Sequence, residues 1–122
     1  MLNAIKGKES AYIYGLQKMA VSHPKEALLL LRKVFDRGNL RTKLISFRTV
    51  IFSDHLGDGK SIGDFFVQIM ETSSKEDQEE IIEPFMQSIL NRTQPTSPTI
   101  NQKLSWLYAV YHGWKEEQNF LN

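Results

Sequence analysis

The sequence predicts an all-α protein of five or six helices built as successive antiparallel hairpins, either a helical-repeat-like array or a compact bundle, in one helical domain over 1–122. Three observations predict it. Apolar residues recur at spacings of three and four along most of the chain, and no stretch sustains the alternation of a half-buried strand. Prolines, glycines and capping residues punctuate these segments at helix-length intervals. The starts of the second, fourth and sixth segments, marked by Pro24, Ser61 and Thr99, lie 37 and 38 residues apart. Stacked helical repeats run about 34 to 47 residues. The match is one of rhythm, because the three units do not align residue by residue.

The first helix is expected from Glu9 or Ser10 to about Val21, with Tyr12, Leu16 and Met19 on one face and Ile13 and Ala20 beside them. It stops at Ser22-His23-Pro24. Ser22 is placed to cap the second helix and Pro24 sits where a missing amide donor costs nothing; that helix runs to Arg37, with Gly38 ending it. Leu28 to Leu31 followed by Val34 and Phe35 give it an apolar surface wider than one stripe, which marks a central helix. The third is expected from about Leu40 to Leu56, with Leu40, Leu44, Phe47 and Ile51 in one row and Ile45, Phe52 and Leu56 in another.

Ser61 and Asp64 resemble a capping pair for the fourth helix, which should bury Ile62, Phe65, Phe66, Ile69 and Met70. Ser73 and Glu76 form a capping box for an acidic fifth helix. Pro84 lies inside that helix, removes the bond to the Glu80 carbonyl, and should kink or divide it. Residues 93–98, TQPTSP, read as the longest loop. Thr99 and Gln102 make a further capping box, and the last helix lines up Ile100, Leu104, Leu107, Tyr111 and Trp114.

At 122 residues, with 41% hydrophobic and 24% charged residues, the chain can bury a core without disulfides or a structural metal. The absence of cysteine removes disulfides, thiolate metal sites and cysteine nucleophiles. No segment approaches the roughly 18 apolar residues of a membrane span and no signal-peptide pattern opens the chain, so the expected location is cytoplasmic, with no membrane partner. Net charge is only +1, yet residues 1–60 hold eleven Lys/Arg against five Asp/Glu and residues 61–122 hold four against nine. One half is +6 and the other −5. Such halves can pair with each other, or attract phosphates and charged partners.

The stretch HLGDGKSIGD, residues 55–64, looks most like a ligand site. A phosphate loop would need glycine at position 54, which is Asp54, and a preceding strand where this chain has a helix. A calcium loop from Asp54 would need ligands where Leu56, Ile62 and Phe65 stand. The stretch therefore reads as a glycine-shaped turn followed by a cap, and no nucleotide is expected. His23, His55 and His112 lie in different hairpins, and only His112 has a carboxylate, Glu116, at helical spacing. No catalytic residue, cofactor or metal ligand is assigned, and the chain is expected not to be an enzyme.

Two surfaces remain. Leu29 falls on the charged side of the second helix, beside Lys25, Arg32 and Lys33, and Trp106 lies off the main stripe of the last; both are candidate partner-binding residues. Lys33, Arg37, Arg41, Lys43 and Arg48 flank the turn at Gly38-Asn39 and form a basic ridge that could contact a nucleic-acid backbone. The functional expectation is thus a non-catalytic protein-interaction or self-association module, with a regulatory nucleic-acid-binding protein as the alternative.

Overall fold

The computed structural model describes residues 2–92 and 96–121. They form α1 (Leu2–Met19), α2 (Pro24–Arg37), α3 (Leu40–Ile51), α4 (Gly59–Glu71), α5 (Lys75–Asp77), a π-helical stretch (Gln78–Ile82), α6 (Glu83–Leu90) and α7 (Pro98–Leu121). The fold is all-α. Residues 75–90 are helical without interruption, so the described residues contain six helical segments and no strand. Two compact units divide the chain, Met1–Gly57 and Asp58–Asn122. The charge division follows this boundary closely, with ten Lys/Arg against four Asp/Glu in the first unit and five against ten in the second.

In the first unit α1, α2 and α3 each contact the other two. Helix α1 begins at Leu2, well before the expected start at Glu9 or Ser10. Its buried stripe is Ile13, Leu16 and Ala20, whereas Tyr12 is exposed and Met19 half-buried. A four-residue step from Leu16 to Ala20 thus replaces the row expected on Tyr12. Helix α2 has the expected bounds, but its N-cap is His23, and the Ser22 hydroxyl bonds instead to the His23 ring at 2.9 Å. Pro24 opens the helix, where no donor is needed. Ala27, Leu31 and Phe35 are fully buried.

Asn39 caps α3 by accepting from the Thr42 amide at 3.0 Å. Thr42 is itself buried, and its hydroxyl donates to Glu9 at 2.7 Å, tying α3 to α1. Helix α3 ends at Ile51 and does not reach Leu56 as expected. The Ser53 hydroxyl accepts from the His55 amide, a local bond that competes with the helical ladder. Leu56 is then buried from the connecting segment instead of from a helix face.

The turn into the second unit is made by Gly57, at φ 66°, in the left-handed region that side chains disfavour. Asp58 follows as N-cap of α4, one turn earlier than the expected cap at Ser61. Its carboxylate accepts from the Ser61 amide at 3.0 Å while the Ser61 hydroxyl accepts from the Asp58 amide at 3.3 Å, a reciprocal capping box. These bonds hold the Asp58 carboxyl below its ordinary value of 3.8. Because the folded state lowers this value, the cap's contribution is complete above about pH 4 and fades as pH falls through the folded value. Asp58→Ala should cost about 1 kcal/mol at neutral pH. Asp58→Asn should cost less and flatten the acid limb; denaturant titrations at neutral and acid pH check both.

Helix α4 buries the five residues expected of it, Ile62, Phe65, Phe66, Ile69 and Met70. Ser74, not Ser73, caps the next segment by accepting from the Asp77 amide. Before Pro84 the ladder widens: the Glu83 amide donates to the Gln78 carbonyl, five residues back. The wider π turn accommodates a ring that would crowd the Glu80 carbonyl, and it divides the ladder while the chain stays helical. At α7 the Ser97 hydroxyl accepts from the Ile100 amide and Pro98 opens the helix, so the cap precedes Thr99. Half of the expected loop at 93–98, namely 93–95, lies outside the described residues. Leu107 and Tyr111 are buried; Ile100, Leu104 and Trp114 are half-buried. Lys103 is 1% exposed, a burial that the apolar pattern does not announce.

Candidate functional site

An open concave surface of the second unit runs along α4 and α7, two helices in extensive contact. Two-sided apolar surface on α4 produces it. Ile62, Phe65 and Ile69 are spent in the core, and Phe66 and Met70 reach α7 with Val67 beyond them. From α7, Val110 and Trp114 line the other wall. Phe66 meets the Tyr111 ring edge-on at 6.5 Å and 83°, and the Trp114 indole at 6.4 Å and 78°. Such edge-to-face pairs fix ring orientation as well as burying area.

The resulting groove has a volume of about 490 Å³. Val67 stands on its lip 47% exposed, and a Cβ placed on Gly113 would meet no atom within 4 Å. The groove is open and incompletely filled. Its charged lining residues are Glu71 and Glu117, both exposed. Beyond Trp114 a smaller polar recess of about 150 Å³ follows. Two of its lining residues, Lys115 and Glu83, pair at 3.4 Å, and Glu83 also accepts at 3.4 Å from the Tyr111 hydroxyl, which accepts from Gln87 at 3.3 Å. Tyr111 and then Glu83 hold the Lys115 ammonium above its ordinary value. This network fastens α7 to α6 and leaves the carboxylates of Glu71 and Glu117 outside it.

The sequence candidates fall elsewhere. Leu29 is 65% exposed in the middle of α2, on the first unit. Trp106 is 44% exposed, yet its indole rests on the first turn of α4, where a Cβ on Gly59 would collide with it. That close approach is what Gly59 serves. In the basic ridge, Lys33, Arg37, Arg41 and Arg48 are exposed. Lys43 faces inward, its ammonium donating to the carbonyls of Phe35 at 3.0 Å and Gly38 at 2.9 Å. It closes the C-terminal end of α2, where orphan carbonyls need donors. The ridge therefore presents four outward cations from the five residues singled out.

His23, His55 and His112 are exposed; His112 packs against the rings of Tyr108 and Tyr111, 4.2 and 5.3 Å away. Among the described residues no group of three His, Asp or Glu side chains is placed to hold a metal ion. No helix among them is long and apolar enough to cross a membrane. Val67, Val110 and Gly113 were not singled out by sequence. Their one legible signal is position, each standing beside the buried stripe of its helix. Comparison with family models, with curated proteins and with solved structures finds no match to this chain.

Proposed function

We propose that the chain is a non-catalytic protein-interaction module that docks a partner protein in the α4–α7 groove. The observation that carries this reading is the open groove itself, with Val67 exposed at its lip, Val110 and Trp114 half-buried on the facing wall, and unfilled space over Gly113. Exposed contiguous apolar surface bounded by polar residues is characteristic of interaction sites. Leu29 is a second apolar point, isolated among charges, and Trp106 is better explained by its seat on Gly59 than by a partner.

A photocrosslinking residue in place of Val67, compared with one at exposed Tyr14, provides the test in cells that produce the protein. A discrete protein adduct from position 67 and none from position 14 supports the reading. Its mass also distinguishes a second copy from another protein. No adduct from position 67 counts against it.

The basic ridge supports a second reading, nucleic-acid binding by the first unit. Lys33, Arg37, Arg41 and Arg48 would contact phosphates, and Lys43, being engaged with backbone carbonyls, would not. On that reading affinity for a generic duplex falls steeply with salt, by a slope set by the number of phosphates neutralised.

A further inference from the structure

We infer that the occupant of the α4–α7 groove is a basic amphipathic helix of a partner protein, its apolar face on the groove floor and its cations against Glu71 and Glu117. The inference rests on the docking reading above and adds the chemistry of the partner. Both charged residues lining the groove are carboxylates, and neither takes part in an ion pair among the described residues. The unit that carries them holds ten acidic residues against five basic ones. A cation arriving at the lip is attracted locally and by the field of the whole unit, whereas a phosphate backbone is repelled by both.

The groove's walls also select the backbone form. They are helices whose internal amides and carbonyls bond within the helix, so the groove offers no row of donors and acceptors to an extended peptide. A strand lying there would leave its own backbone unpaired, while a helix arrives with its bonds already made. The groove is lined by α4 from Phe66 to Glu71 and by α7 from Val110 to Gln118, a helical stretch about 12 Å long. That accommodates about two turns of a partner, presenting apolar residues at every third and fourth position. Val67 at the lip and the half-buried Val110 and Trp114 offer it apolar contact, while Met70, unbranched and adaptable, is almost fully buried in the lining.

The test uses three synthetic peptides, each long enough for about four helical turns, with leucines at identical helical spacings and the remaining positions all lysine, all glutamine or all glutamate. Each is titrated into the full chain, with binding read from the anisotropy of a labelled peptide. The lysine peptide should bind about tenfold more tightly than the glutamine peptide and the glutamate peptide most weakly. Glu71→Lys combined with Glu117→Lys, both at exposed positions, should reverse that order. Gly113→Leu, which fills the groove at a helical position with free space, should abolish binding while circular dichroism stays unchanged. Equal binding of the lysine and glutamine peptides, or an order untouched by the charge reversal, overturns the basic-partner inference and leaves the docking reading standing. Lysine-peptide binding that survives Gly113→Leu shows attraction to the acidic surface at large and overturns it too. Failure of all three peptides to bind overturns both readings.

Discussion

Replacing Leu107 by alanine should lower the free energy of unfolding by about 2 to 5 kcal/mol. Leu107 is fully buried on α7, and alanine would remove its apolar atoms and leave a cavity that rigid neighbours close only in part. Leu44→Ala should fall in the same range but toward its lower end, because Leu44 on α3 retains slight exposure and its site can collapse more easily. Lys60→Ala, at an exposed position in the first turn of α4, should change stability by less than about 0.5 kcal/mol. Urea titrations of the three variants check the series. Unchanged midpoints for both leucine variants would show that the helix faces are wrongly assigned.

Gly59→Ala should destabilise the second unit by roughly 1 to 3 kcal/mol, although alanine favours helices more than glycine does. The new methyl group would occupy the space of the Trp106 indole, which must then swing toward solvent. Because Trp106 is already 44% exposed, the ring can leave without disrupting α7, and the cost is its lost contact with α4. Two readouts follow: a red-shifted tryptophan emission, and near-disappearance of the cost in a Trp106→Ala background. A Gly59→Ala penalty that persists at full size without the indole would refute this role for the glycine.

How far the sequence alone reaches depends on whether one helix or two decide an outcome. The burial of Ile62, Phe65, Phe66, Ile69 and Met70 was legible because one helix's periodicity determines it. The caps were legible only approximately. Asp58 and Ser61, Ser73 and Ser74, and Ser97 and Thr99 each offer neighbouring oxygens, and Asp58 and Ser74 take the role because they adopt extended backbone before the first turn. The end of α3 is not legible, because apolar spacing runs on to Leu56 after the Ser53 hydroxyl has taken an amide from the ladder. Nor is the inward turn of Lys43, whose acceptors, the carbonyls of Phe35 and Gly38, belong to the preceding helix end.

The groove was not legible at all. Val67 and Val110 are unremarked residues beside their stripes, and only the pairing of α4 with α7 puts them on one surface. The contact between Trp106 and Gly59 escaped for the same reason: the off-stripe tryptophan was visible, the glycine beneath it was not.

The most direct test of the docking account is the yield of protein adduct from a photocrosslinker at position 67, with Gly113 intact and with Gly113→Leu, in cells that produce the protein. If the groove is the docking site, a discrete adduct forms with the glycine and disappears with the leucine, while the melting temperature is kept or raised. An adduct of equal yield in both forms, or none in either, would contradict it.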